Sequence, residues 1–527
     1  MSFRIRWRNG LGARVAFVAT MGLVAAGITG CGTTQMSAEE LASASASPAS
    51  SPPPPAAAAA AAADSKPAPK SLGKGALSVV NADSWMGALF AQKPDVRLRD
   101  MIIPGSHDSG TFAITCKSDL TIPINELITK DAFLTSMALI GLGPLYPELL
   151  GLIDSVIAVA TGALWVAKGQ GYCPIQSMAK AQGGNPNDAG TKEDSGNFLA
   201  QLNSGVRFFD IRVYEENPTS DSPDGANFLL SHGSMLTEAT LNSQLDGLLY
   251  WLQSHPKEFV GITFHSVASF QKPPPKSGSS AQPVNWDSLR GALTNRVYNS
   301  WFSDRGVKGL CDVAIKKSDT GGKAGLMSRT LNDVWKTQGT VPAGTAGNSG
   351  MAKNLLIMAD YSELVSGGSA ADCVWGENSG PKSDANPHGT SADYTDGISD
   401  VNWENSMNAA DLVSKSAADL AKRKSLCAAD PKQCDFIQTE IQPTPSTGKY
   451  ISCVGAVITD VIMLQPPSDC GLLAFDLKNQ PKPPDFLPGW IDQGLPVNIV
   501  SGDWLLDPNT EIYSGVLSGN VKKFNLQ

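Results

Sequence analysis

Histidine is scarce in this chain, five in 527 residues, and three of the five close short apolar runs. His107 sits in MIIPGSHDSGTF, His232 in FLLSHGS and His265 in FVGITFHS. Between the first two lies GVRFFDIRVY, which carries Asp210 and Arg212. In an extended strand, residues two apart share a face. Two histidines, a carboxylate and a guanidinium are the set that phosphodiester cleavage by general acid–base catalysis needs. One imidazole removes a proton from the nucleophile, the other protonates the leaving oxygen, and the guanidinium neutralises charge on the phosphoryl oxygens. One strand-terminal histidine alone is ordinarily structural; the joint pattern points to a site. Other chemistries fit less well. Ser109 and Ser234 lie beside these histidines, but no Gly-x-Ser-x-Gly elbow is present. The Gly pairs at 183–184 and 367–368 have no Lys after them and do not read as a P-loop. No CxxC or Cys/His cluster has zinc spacing.

Residues this far apart in the chain meet only if the fold gathers strand ends into one mouth. Apolar runs predict strands over 101–104, 206–213, 228–231, 259–265, 354–359, 436–440 and 497–501. Most are continuous rather than alternating, which suits a parallel sheet buried on both faces. Seven such strands with crossovers between them predict an α/β fold, a TIM-type (β/α) barrel, irregular in places, with helical and loop insertions. A barrel of this type collects residues from the C-terminal ends of its strands. Periodicity alone leaves an open doubly wound sheet as the alternative. Outside the site, His255 is expected to cap a helix-to-strand turn and His388 to sit in a Gly/Asn/Ser-rich loop. Trp375, Trp403 and Trp490 are expected to pack, and Trp504, next to Asp503, to line the pocket.

The remainder of the chain speaks to location. Residues 1–30 form a basic start and an apolar, uncharged run, the pattern of a secretory signal. The run ends in Ile28-Thr29-Gly30-Cys31, similar to a bacterial lipobox, so Cys31 is the expected lipidation site of an exported, lipid-anchored envelope protein; a secreted protein is the alternative. Residues 31–75 are Ala/Ser/Pro-rich and read as a tether, and 76–527 read as one catalytic unit. Within it, 131–170 reads as an apolar helical insertion, packed on the barrel or meeting lipid. Setting Cys31 aside leaves eight cysteines, an even number that suggests disulfides in an exported chain. Adjacent pairing, 116–173, 311–373, 427–434 and 453–470, is the simplest of the many possible. The net charge is −9, and residues 1–30 hold four of the arginines and no acid. A chain this acidic has no electrostatic drive toward nucleic acid.

The motifs IPGSHDSGTF, GVRFFDIR, LSHG and HPKEFVGITF, in this order and spacing, resemble the X-domain-like catalytic barrel of the phosphatidylinositol-specific phospholipase C (PI-PLC) family. The resemblance covers roughly residues 98–266 and the rest loosely. It implies His107 as the base for the inositol 2-hydroxyl and His232 as the acid toward the diacylglycerol oxygen. Asp108 would pair with that acid. Asp210 and Arg212 match the Asp–Ile–Arg pair of the metal-independent bacterial enzymes, which implies no calcium and no cofactor. VNIVSGDWLL resembles the last strand, and Asp503 would orient the base histidine. The chain departs from the family where His265 stands near the position of an active-site Lys. It departs again where Gln438 and Glu440 replace a headgroup-contacting acid and aromatic; Glu440 could contact a hydroxyl. The implied activity is cleavage of phosphatidylinositol-type lipid at a membrane surface to diacylglycerol and a cyclic inositol phosphate. The alternatives are a phosphodiesterase of the same fold acting on another headgroup, and a non-catalytic surface or binding protein.

Overall fold

The computed structural model describes residues 80–110, 197–216, 225–232, 235–270, 284–296, 302, 307–336, 352–379, 397–403, 406, 408–430, 434–443, 479–503 and 511–526. The leader 1–30, Cys31, the tether 31–75, the 131–170 insertion, His388 and Trp504 lie outside them. Among the described residues, no helix is long and apolar enough to cross a membrane.

Ten strands are described: β1 (Ile103–Ser106), β2 (Phe208–Glu216), β3 (Phe228–His232), β4 (Met235–Thr240), β5 (Val260–Phe270), β6 (Leu355–Ala359), β7 (Val374–Ser379), β8 (Ser399–Trp403), β9 (Phe436–Glu440) and β10 (Ile499–Gly502). Eight of them form a parallel ring in the order β1-β2-β5-β6-β7-β8-β9-β10. β1 closes it: Gly105 sits opposite Phe208 of β2 and opposite Ser501 of β10. A Cβ at Gly105 would fall 2.5 Å from Ser501 Oγ and 3.0 Å from Ile499 Cγ2, so a glycine lets β1 slot between its neighbours. The barrel expected from the sequence is the fold observed.

The strands read as apolar runs because both faces are covered. Outward residues Phe209, Ile211 and Val213 of β2 and Val260, Ile262 and Phe264 of β5 pack against helix α1 (Leu241–Ser254) and helix α2 (Trp286–Thr294). Helix α1 presents Leu241, Leu245, Leu248, Leu249 and Leu252, a helical-period stripe, and Thr240 caps its start by accepting from Ser243 N. His255 ends that helix and stacks on Trp251, ring centroids 4.2 Å apart, as expected. On the far side, helix α3 (Pro483–Asp492) and helix α4 (Ile512–Phe524) cover Ile437 and Val500. Inside the lower lumen, Ile103, Phe208, Met358, Trp375, Phe436 and Ile499 pack together over a floor that includes Trp85 and Phe90. Trp375 and Trp490 are thus packing residues.

Two expectations are corrected. The 228–231 run is not a barrel stave; it belongs to β3, which pairs antiparallel with β2 and forms a hairpin with β4. The staves β7 and β8 did not register as apolar runs, because VWGENS and SDVNW are rich in polar residues. Cys311 pairs with Cys373 and Cys427 with Cys434, Cα atoms 5.4 and 4.6 Å apart, as adjacent pairing expects. The other two expected pairs lie outside the described residues.

Candidate active site

The lumen face of each strand changes character from bottom to top. On β2 it runs Phe208, Asp210, Arg212; on β9, Phe436, Gln438, Glu440; on β10 and just beyond, Ile499, Ser501, Asp503. Period two therefore sets an apolar plug below a polar mouth on the same strands.

His107 follows β1 directly, and its N–H donates to Gly502 O at 3.1 Å, extending the ladder with β10. The turn after it is pinned. Asp108 adopts a left-handed backbone, φ 47°, a region Asp tolerates better than most residues. Its N–H donates to Asp210 Oδ2 at 3.2 Å, and Ser109 N donates to Asp210 O at 2.9 Å. Gly110 packs so closely on β3 that a Cβ there would lie 2.9 Å from that of Leu230.

The His107 ring is held at both nitrogens. Nδ1 lies 2.9 Å from Asp503 Oδ1, and Nε2 lies 3.1 Å from Arg212 Nη2. This geometry fits the neutral ring, with Nδ1–H donating to Asp503 and the Nε2 lone pair accepting from Arg212. Burial alone would lower the His107 pKa. The carboxylates of Asp108, Asp503 and Glu440 outweigh it and push the value up to about 10. The guanidinium at Nε2 opposes them, since a protonated ring would set two cations 3.1 Å apart. Gln480 holds Asp503 by its main chain: Asp503 N donates to Gln480 Oε1 at 3.2 Å, and Gln480 Nε2 donates to Asp503 O at 3.3 Å.

Arg212 pairs with Asp108 Oδ1 at 2.5 Å through Nε and with Asp210 Oδ2 at 3.2 Å through Nη2. Burial disfavours its charge, but Asp108 and Asp210 more than restore it, so its pKa is raised and it stays a cation. His265 shares the lumen face of β5 with Thr263 by strand parity. There the β2–β5 register steps from Ile211 opposite Phe264 to Arg212 opposite Ser266, so His265 is the extra residue of a bulge. His265 Nδ1 stands 3.9 Å from Asp210 Oδ1. Burial lowers the His265 pKa, and Asp210 and Glu377 reverse this, so the net direction is up.

Burial raises the pKa of Glu440, with His107 and His265 pulling the other way, and pushes that of Glu377 up to about 7, with His265 opposing it. Glu440 accepts from Gln438 Nε2 at 2.9 Å and from Gln442 Nε2 at 2.7 Å. Thr263 Oγ1 donates to Glu377 Oε2 at 2.6 Å.

The structure thus gathers His107, Asp108, Asp210, Arg212, His265, Glu440 and Asp503 around one mouth. Asp108 pairs with Arg212; its expected pairing with His232 involves a side chain outside the described set. The backbone of His232 ends β3, which runs back along β2 with Leu230 beside Val213; its side chain lies outside the described set. Glu377, Thr263, Gln442 and Gln480 were not anticipated. Glu377 had a signal, since Trp375 and Glu377 alternate as lumen residues of a strand do. Gln480 had none, since it acts on a main chain 23 residues away. His107, Asp108 and Asp210 offer ligand atoms within 4.8 Å of one another and could hold a metal ion. The same two carboxylates already bind Arg212, so a metal would compete with a fixed cation.

No family model matches the chain. It is 28% identical over 178 residues to PI-PLC X domain-containing protein 1 of Mus musculus, covering 33% of this chain and 37% of that protein. It is 26% identical over 205 residues to PI-PLC X domain-containing protein 3 of Homo sapiens, covering 38% and 46% respectively. The matching stretch is therefore less than half the length of these relatives. Among solved structures, a phosphatidylinositol-specific phospholipase C from Staphylococcus aureus superposes with a TM-score of 0.40 at 16% identity, over 83% of this chain and 98% of that one. The enzyme of the same name from Listeria monocytogenes gives 0.35 at 11% identity, over 84% and 99%. At the level of the family, this chain is similar to the proteins that carry the PI-PLC X domain.

Proposed function

We propose that this protein cleaves the phosphodiester of an inositol-type phospholipid, with the hydroxyl next to the phosphate as internal nucleophile. The observation that carries the reading is His107, held by Asp503 at Nδ1 and facing Arg212 at Nε2. A phosphate that takes the Arg212 N–H groups frees Nε2 for the hydroxyl proton. The oxygen–phosphorus bond then forms while the bond to the diacylglycerol oxygen breaks, and His232 supplies the proton that oxygen needs. The antiparallel return of β3 toward the level of Arg212 and the sequence resemblance support that role for His232. Arg212 offsets charge on the phosphoryl oxygens, with Asp210 and Asp108 fixing its orientation. Internal attack is favoured because the nucleophile arrives already at high effective concentration. Arg212 occupies the carboxylates a divalent ion would need, so the reaction proposed is metal-independent. Two disulfides suit an exported chain, and export through residues 1–30 with anchoring at Cys31 would place the barrel at a membrane surface.

The test is diacylglycerol release from phosphatidylinositol vesicles in excess chelator, with His107→Ala alongside. Release should survive the chelator and fall by roughly 10²–10⁴-fold in the variant. An inert wild-type protein would overturn the reading, and release that stops on chelation would overturn its metal-free form.

A further inference from the structure

Beside the paired catalytic groups, the lumen carries more buried oxygens than donors to meet them; among the described residues, His265 Nδ1 is a buried ring nitrogen there without a hydrogen-bond partner, 3.9 Å from Asp210 Oδ1. Asp210 Oδ1, Glu377 Oε1, Gln438 Oε1 and Ser501 Oγ, from β2, β7, β9 and β10, are buried with no hydrogen-bond partner among the described residues. Strand parity puts all four on the lumen face, above Phe208, Trp375, Phe436 and Ile499. Three of them are oxygens that can only accept when the acids are ionised; the Gln438 amide nitrogen is already spent on Glu440. Thr263 fixes one oxygen of Glu377 and leaves the other to the lumen. Glu440 adds a second buried carboxylate, its oxygens held by Gln438 and Gln442. The basic groups facing this floor are His107, His265 and Arg212; His107 is held by Asp503, and Arg212 is engaged by two carboxylates. A buried acceptor left unpaired costs about 1–3 kcal/mol. Such a floor is complemented by donors. An ammonium brings three donors and a positive charge.

We infer that this lumen selects a headgroup whose polyol ring carries an ammonium group, with Glu377 as its principal acceptor. The inference rests on the proposed reading that the headgroup enters this lumen.

The test is calorimetric titration of the full chain with two soluble probes: a cyclitol and the aminocyclitol of the same ring. Neither is turned over, so the result does not depend on catalysis. The aminocyclitol should bind about tenfold or more tightly than the cyclitol, the worth of one charge-assisted hydrogen bond. Glu377→Gln should bring the aminocyclitol to within about threefold of the cyclitol. Equal affinities, no binding of either probe, or a preference that survives Glu377→Gln would overturn the inference. The wild-type comparison stands by itself if the variant does not fold. Failure of the vesicle assay would sink the proposed activity and leave this binding order as it is.

Discussion

Two arginines stand five residues apart in GVRFFDIR and are held in opposite ways. Arg207, at the bottom of the barrel, is fully buried and meets groups that cannot leave. Nε donates to Glu258 at 2.8 Å, Nη1 to the carbonyls of Leu202 and Val206 at 2.8 and 2.9 Å, and Nη2 to those of Ala82 and Asp83 at 3.0 and 2.8 Å. Its guanidinium also lies over Trp251, 4.5 Å from the ring centroid. Arg212, at the mouth, is 21% exposed and, among the described residues, is held by side chains: two carboxylates and an imidazole. Main-chain carbonyls locked in the fold make a joint. Side chains that can exchange partners make a site. The two arginines look alike in sequence, and the difference lies in what surrounds them.

The sharpest way to break this comparison is the same substitution at both positions. Arg212→Lys keeps the charge and loses the fork, so diacylglycerol release should fall by roughly 10²–10³-fold, as when a preorganised donor is removed, with little change in the unfolding midpoint. Arg207→Lys should do the reverse. Stranded carbonyls cost about 1–3 kcal/mol each, so denaturant unfolding should show a loss of roughly 3 kcal/mol or more, while the folded fraction keeps its activity. Equal effects on stability and rate at both positions would erase the distinction.

Asp503→Asn tests how the mouth is tuned. His107 must be unprotonated at Nε2 to take a proton, so the rate rises with pH through its pKa, and carboxylates that push that pKa up to about 10 move the acid limb to higher pH. Removing one carboxylate should move the limb to lower pH by about one unit. Stability carries the same sign. The His107 contribution is fully present below the unfolded imidazole pKa of about 6.5 and is lost as pH rises through about 10, and Asp503→Asn should flatten that slope in unfolding measured across pH. The smallest effect belongs to Gln480→Ala. It loosens Asp503 without touching substrate, so kcat should fall by under about tenfold with KM unchanged, and the acid limb should move the same way as in Asp503→Asn. A KM increase alone would place Gln480 in binding.

Much of the site was legible in the chain because its residues are local to strand ends. His107 and Asp108 follow one apolar run, Asp210 and Arg212 share a face by period two, and Asp503 closes the last strand. The staves β7 and β8 were not legible, because a strand that lines a polar lumen has few apolar residues to betray it. β3 was legible as a strand and misread as a stave, because an apolar run does not say whether its neighbour is parallel.

Spacing along single segments shows most of the strands, their inward and outward faces, and the residue types available at each strand end. Only the tertiary structure decided partners. It paired Asp108 with Arg212, placed Asp503 on His107 across 396 residues, and brought His265 to within 3.9 Å of Asp210. Pairing across the ring is fixed by strand order and register, which no single segment contains.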